Sequence, residues 1–288
     1  MSLADPLPIT PFTRPCAGSV TLPGSKSITN RALILGALAD GPVTLHGALF
    51  SRDTRIMVTA LRQLGFTVET DEAALTIRIE GRNGEIPNAT ASIHVGNAGT
   101  AARFLTAFVC LRRDGVYHFD GDEAMRARPI GTLLDALASQ GAKADARSFP
   151  FTLRTAGLPG GKIAIDASAS SQLVSALLLV APKAQTLLQV ELIEKRVSKP
   201  FVTITKRMVE QFSTPPRDYA VEGDATAASY FAALPVATRG NVTIAGLNLP
   251  PQRCKVTASS ANCWPTRLIR LADTSVSDAG GRVGFTGF

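Results

Sequence analysis

Three short motifs carry residue types suited to gripping an anion. The first is Pro23-Gly24-Ser25-Lys26-Ser27-x-x-Asn30-Arg31. Small polar residues run into an apolar stretch, which marks a helix start. Backbone N–H groups there have no intrahelical partner and favour negative charge. Lys26 and Arg31 add fixed positive charge, and each charge-assisted hydrogen bond to an anion contributes about 1.5–3 kcal/mol. A plain N-cap with two solvated basic residues would explain Ser25 and Lys26. It does not explain Arg31, which falls inside an otherwise apolar helix. The phosphate-loop pattern G-x-x-x-x-G-K-[ST] is absent.

Gly96-Asn97-Ala98-Gly99-Thr100 and Ser170-Ser171-Gln172 open apolar stretches in the same way. Alone, the first is a commonplace glycine turn and the second a good cap. Arg128 stands before Pro129, a residue suited to a first helical turn, so the sequence places it directly before a helix over 128–140. Lys195-Arg196-Val197-Ser198-Lys199-Pro200 resembles that junction and puts Ser198 near another helix start. Singly, Arg128 and Ser198 read equally well as solvated polar residues.

What joins these motifs is a repeat. Helix-like segments start at 25, 97, 170 and 224, separations of 72, 73 and 54. Stretches 32–39, 101–111 and 173–181 are apolar nearly all round, as in helices buried on every side. A second helix follows each: 53–64 before Gly65, 128–140 before Gly141, and 199–211. Ile130, Leu133, Leu134 and Leu137 form one amphipathic stripe. Each closing glycine suits a left-handed position after a helix. Strand-like runs occupy 43–49, 75–80, 116–120, 151–155, 162–166, 187–193 and 241–245.

The fold expected is α/β, built of βαβαββ repeats in a pseudo-threefold arrangement, with buried helices inside and sheets outside. Three such units bring three capped helix starts to one end of a lobe, each dipole worth about 0.3–1 kcal/mol to a nearby anion. A doubly negative small molecule fits such a spot. The fourth start comes about 18 residues early. Ser213-Thr-Pro-Pro-Arg-Asp218 stands where the first two repeats have a hairpin. This reads as a deletion, with an exposed sheet edge as one expected consequence.

Composition excludes other classes. With 288 residues, 45% hydrophobic and 18% charged, the chain can bury a full core, and disorder, collagen and coiled coil are ruled out. No apolar run reaches membrane-spanning length, and Met-Ser-Leu-Ala-Asp-Pro shows no secretory signal pattern. Cys16, Cys110, Cys254 and Cys263 form no C-x-x-C pair, and His46, His94 and His118 are isolated. A reduced, cytoplasmic protein without a metal is expected. The net charge of +7 is spread thinly, three of it beyond residue 250, with no basic run interleaved with aromatics. It points to a small anion rather than to nucleic acid.

Pro-Gly-Ser-Lys-Ser-x-x-Asn-Arg-Ala, Gly-Asn-Ala-Gly-Thr-Ala, Arg-Pro-Ile-Gly, Ser-Ser-Gln, Val-Ser-Lys-Pro and Val-Glu-Gly-Asp-Ala occur in that order. This series resembles the 5-enolpyruvylshikimate-3-phosphate synthase family over about residues 8–250. The resemblance implies two similar lobes with the active site between them. It implies transfer of the enolpyruvyl group of phosphoenolpyruvate to the 5-hydroxyl of shikimate 3-phosphate, in aromatic amino-acid synthesis, without a cofactor. Lys26 would be catalytic and touch both substrates. Ser27, Arg31, Ser170, Ser171, Gln172 and Ser198 would hold shikimate 3-phosphate. Asn97, Gly99 and Arg128, with Lys26 and Gln172, would hold phosphoenolpyruvate. Glyphosate becomes an expected inhibitor, and the chain an expected monomer with no nucleic-acid or membrane partner.

By the same resemblance, residues 18–216 form the first lobe, its third repeat lacking the hairpin. Residues 1–17 and 217–250 form a remnant of the second lobe, and 251–288 a tail unlike the family. The second lobe normally supplies a catalytic aspartate and glutamate, a lysine and further arginines. Two further departures stand out: Phe201 replaces a tyrosine common in the family, and Phe104 a proline found in some members. Three readings follow: a shortened enzyme, a lobe that binds shikimate 3-phosphate without turnover, or an inert structural fragment. The related UDP-N-acetylglucosamine enolpyruvyl transferases lack Gly-Ser-Lys-Ser and use a loop cysteine, whereas Cys110 falls in an apolar helix.

Overall fold

The structure is a computed structural model that describes residues 7–166, 168–193, 199–247, 273–277 and 282–286. After strand β1 (Ala17–Thr21) comes a first repeat: α1 (Lys26–Leu38), β2 (Asp40–His46), α2 (Arg52–Gln63) and the hairpin β3 (Val68–Asp71) and β4 (Thr76–Arg82). The second repeat runs β5 (Thr90–His94), α3 (Gly99–Val109), β6 (Arg113–Asp120), α4 (Glu123–Arg126), α5 (Gly131–Ala138), β7 (Lys143–Ala144) and β8 (Phe151–Ala156). The third has only β9 (Gly161–Ile165), α6 (Ser171–Val180), β10 (Leu188–Leu192) and α7 (Lys199–Gln211). It leads straight to β11 (Asp218–Ala220), α8 (Ala225–Thr238) and β12 (Asn241–Ala245); β13 (Asp273–Ser277) and β14 (Arg282–Thr286) follow.

The chain folds as two compact units. The larger holds residues 24–222; the smaller holds the stretch before residue 24 and the stretch after 222, described here to its last strand. In the larger unit α1 is buried without interruption from Ile28 to Leu38, as its apolar circumference requires. α3 and α6 are buried nearly throughout and pack on each other and on α1. α2 and α5 lie outside them and bury one stripe each, Met57, Val58 and Leu61 on the first and Leu133, Leu134 and Leu137 on the second. Gly65 and Gly141 close these helices at φ +91° and +94°, where a side chain would clash.

The helix expected over 128–140 is shorter. It begins at Gly131, and a separate turn of helix, α4, precedes it. The Pro129 carbonyl accepts a hydrogen bond from Arg103 Nη2 at 2.6 Å. That bond holds the 127–130 segment out of helical register, so Arg128 and Pro129 lie on an irregular linker.

Two sheets of the larger unit are alike. β2 has β11 parallel on one side and β4 antiparallel on the other, with β3 beyond; β6 is flanked in the same way by β5 and β8, with β7 beyond. Among the described residues the third sheet has only the parallel pair β9 and β10. The smaller unit is one βαβ element. α8 packs Ala225, Ala228 and Ala232 against Leu22, Val242, Ile244 and Leu247, and β1 and β12 pair in parallel, with β14 and then β13 added antiparallel. Among the described residues no helix is long and apolar enough to cross a membrane, and no three His, Cys, Asp or Glu gather.

Candidate functional site

The starts of α3 and α6 meet directly. Ser170 caps α6, its hydroxyl accepting from the Gln172 N–H at 3.2 Å. The Gln172 side chain then reaches α3, donating to Thr100 Oγ1 at 3.4 Å. No side chain caps α3, whose N-cap is Ala98. Arg128 Nη1 donates to the Asn97 carbonyl at 3.5 Å. A methyl group added at Gly99 would stand 2.9 Å from Arg128 Nη1, 3.2 Å from Arg103 Nη1 and 3.3 Å from Gln172 Oε1. Asn97, Gly99, Arg128 and Gln172 therefore surround one point.

The start of α1 makes a second cluster. Ser25 is its N-cap. Arg31, one turn into the helix, donates from Nη1 to the Ser27 carbonyl at 2.9 Å and to the Ser27 hydroxyl at 2.6 Å. Its other donors reach Thr205 Oγ1 at 2.8 Å on α7 and Ser175 Oγ at 3.2 Å on α6. Only 2% of Arg31 is exposed, and burial holds its pKa down at about 10. It stays charged at neutral pH and acts on the surface through Ser27, which it orients.

Lys26 Nζ lies 3.0 Å from Asp53 Oδ2 in the first turn of α2. The neighbouring Arg52 has its Nη2 3.2 Å from where a Cβ on Gly96 would stand. Through α2 the Lys26 end thus adjoins the Gly96-Asn97 loop. Ser171 is the first residue of α6 and half-buried. Ser198 lies outside the described residues. Polarity is graded: Lys26, Asn97 and Arg128 are exposed, Ser27, Thr100 and Gln172 half-buried, and Gly99 and Arg103 buried.

Sequence alone assigns no role to Arg103, Asp53, Ser175 or Thr205. Arg103 carried the same signal as Arg31, a guanidinium inside an apolar helix. Its Nη1 donates to the Gly99 carbonyl at 3.3 Å, and its Nε is buried without a hydrogen-bond partner. Burial first, and the charge of Arg128 second, lower its pKa to about 10. Elsewhere arginines meet carboxylates, as in Arg52–Asp122, Arg55–Glu72 and Arg126–Asp120. Among the described residues no carboxylate pairs with Arg31, Arg103 or Arg128. Guanidiniums of like charge beside an uncapped helix start favour an anion between them. Cys110, by contrast, is buried with its thiol pushed up to about 12, which removes it from any role as a loop acid.

Comparisons with known proteins bear on the family and the fold. The family model for EPSP synthase (3-phosphoshikimate 1-carboxyvinyltransferase) matches residues 12–215. The 3-phosphoshikimate 1-carboxyvinyltransferase of Opitutus terrae is 47% identical over 274 residues, covering 87% of this chain and 63% of its own length. That of Trichormus variabilis is 37% identical over 273 residues, with the same 87% and 63% covered. The chain thus spans under two thirds of the length of these relatives. The solved EPSP synthase of Acinetobacter baumannii shares the fold at a TM-score of 0.74 and 22% identity, over 96% of this chain and 66% of that one. With the motifs, the repeat and the family match in agreement, the chain belongs to the EPSP synthase (3-phosphoshikimate 1-carboxyvinyltransferase) family.

Proposed function

We propose that this chain binds shikimate 3-phosphate and phosphoenolpyruvate at the joined helix starts and serves transfer of the enolpyruvyl group to the 5-hydroxyl. The observation that carries the reading is the convergence of Arg103 and Arg128 on Gly99 with no carboxylate between them. Arg128, Gln172 and the backbone at Asn97–Gly99 would take phosphoenolpyruvate; glyphosate, an anion of similar shape, would compete there. Ser27, backed by Arg31, would meet shikimate 3-phosphate with Ser170 and Ser171, and Ser198 completes that set by resemblance. The residues 24–222 serve as the first lobe and the smaller unit as part of the second. A reducing, cytoplasmic setting suits the free thiols of Cys16 and Cys110.

The chemistry is addition then elimination. The methylene carbon takes a proton while the hydroxyl oxygen gives up its own and attacks the neighbouring carbon; the methyl group so formed then loses a proton as the C–O bond to phosphate breaks, which restores the double bond and releases phosphate. Lys26 would bridge the substrates and steady negative charge on the tetrahedral intermediate, and fixed helix starts lower the entropy cost of bringing two anions together. A second reading, binding without turnover, is favoured by the state of Asp53: the carboxylate nearest Lys26 is already ion-paired to it rather than free for proton transfer.

Phosphate release from the two substrates, with Lys26→Met as control, decides between them. Turnover that Lys26→Met abolishes establishes the transferase. Calorimetric binding of shikimate 3-phosphate without turnover establishes the binding lobe. Absence of binding and turnover refutes both.

A further inference from the structure

Among the described residues the third sheet stops two strands short of its sisters, and the shortfall is on one side. β2 and β6 each have an antiparallel neighbour opposite their parallel one. β10 has β9 on its parallel side and, among the described residues, no strand on the other. Its backbone directions follow from two bonds: Gly161 N–H donates to the Leu187 carbonyl at 2.9 Å, and Ile193 N–H to the Ile165 carbonyl at 3.1 Å. Partners alternate along a strand. Leu187, Gln189, Glu191 and Ile193 therefore turn their backbone groups to β9, and Leu188, Val190 and Leu192 turn theirs outward. Leu187 and Ile193, at the ends of this edge, are 75% and 67% exposed. An apolar edge with unpaired backbone groups recruits a strand.

We propose that the recruited strand is β10 of a second copy of this chain, paired antiparallel about a two-fold axis at Val190. The sequence of the edge selects this occupant and register. With Val190 opposite Val190, Leu188 faces Leu192, and the outward N–H and C=O groups of all three fall in hydrogen-bonded pairs. Leu187 then faces Ile193, so the most exposed apolar side chains cover one another. Gln189 faces Glu191, an amide donor against a carboxylate whose other neighbour is Lys162 Nζ at 3.0 Å. Sliding by one residue sets outward groups against inward ones. Sliding so that Glu191 faces Glu191 puts like charges together, which is unfavourable. The two-fold pairing is closed and makes a four-stranded sheet β9-β10-β10-β9, matching the strand number of the two sister sheets.

Sedimentation velocity on the full chain from about 1 to 100 µM tests this. A reversible monomer–dimer equilibrium is expected. Gln189→Glu should weaken the dimer about tenfold or more by facing a like charge, and Gln189→Lys should tighten it. Gln189 is exposed, so the fold is retained in both variants. Val190→Pro should abolish the dimer, because it removes the outward N–H at the axis while leaving the bonds to β9. If circular dichroism shows that this variant does not fold, the opposed pair at Gln189 decides. A wild-type chain that stays monomeric overturns the proposal, as does a dimer indifferent to both charges at Gln189.

Discussion

The Arg31 guanidinium lies over the Phe104 ring, 5.2 Å from its centroid, so the helix that carries Lys26 and Ser27 is tied to the helix that carries Gly99. Phe104 is fully buried. A desolvated cation over a ring gains about 2 kcal/mol. Phe104→Leu, which keeps most of the volume, should therefore cost about 1–2 kcal/mol in urea unfolding. Phe104→Ala adds a cavity and should cost about 3–5 kcal/mol. A Phe104→Leu variant as stable as the parent would show that the ring is only filling space.

Gly99→Ala separates the proposed anion site from the fold. Gly99 is not among the glycines with positive φ, so the added methyl brings no backbone strain. It does arrive 2.9 Å from Arg128 Nη1 and 3.3 Å from Gln172 Oε1, ends of side chains that can swing away, and 3.2 Å from the buried Arg103 Nη1, which must give by a few tenths of an ångström. Stability should change by less than about 1 kcal/mol, while phosphoenolpyruvate affinity should fall about tenfold as Arg128 is displaced. Thermal unfolding and calorimetry on one preparation check both halves. Unchanged affinity would mean that Arg128 does not serve this point.

Where the sequence was legible, burial was the reason. α1, α3 and α6 are enclosed on all sides, so each left a long apolar run behind a small polar cap. β12 was read with its observed bounds because Val242 and Ile244 alternate inward. β1, β3, β5 and β11 leave a weaker signal: their side chains are mostly exposed, and β3, β5 and β11 each bury one apolar side chain, Val68, Ile93 and Tyr219, too few to show an alternation. In the site, Arg31 stood out as a charge in an apolar helix. Arg103 gave the same signal, but its place beside Gly99 depends on the Pro129 carbonyl, a contact with no sequence signature. Arg128 sits on an irregular linker, so its place before Pro129 and the company of the other motifs mark it, while its approach to Gly99 leaves no trace in the sequence.

The cysteines give a check on the core. Cys110 is fully buried at the end of α3, its thiol donates to the Thr106 carbonyl at 3.4 Å, and burial pushes its pKa up to about 12. Since the thiolate is the nucleophile, iodoacetamide at pH 8 should leave Cys110 unmodified in the native protein. Of these two, half-buried Cys16 should react first, and urea should make both reactive. Mass mapping of the peptides reads this out. Equal native labelling of the two would mean that the end of α3 opens readily.

Asp120 ends β6 and shapes the turn beside the Gly96-Asn97 loop. Its carboxylate accepts from Arg126 Nε at 3.0 Å and Nη2 at 2.7 Å, and from the Gly121 N–H at 2.7 Å. Its carbonyl accepts from Val95 N–H at 2.8 Å. The bonds from Arg126, and then that from Gly121, lower its pKa to about 2. A carboxyl depressed in the folded state stabilises that state above its unfolded value of about 3.9. That contribution is lost as pH falls through the folded value, so the window lies between about pH 4 and pH 2. The group is half-buried and its partner Arg126 exposed, so salt should shrink part of the effect. In an NMR titration the Asp120 carboxyl should show a midpoint near 2 in the parent, rising toward about 4 in Arg126→Gln as its two bonds vanish. Asp120→Asn should flatten the acid limb of stability over the same window. A parent midpoint near 4 would mean that the Arg126 fork does not form in solution, and the turn that abuts Gly96 would then rest on the backbone bonds alone.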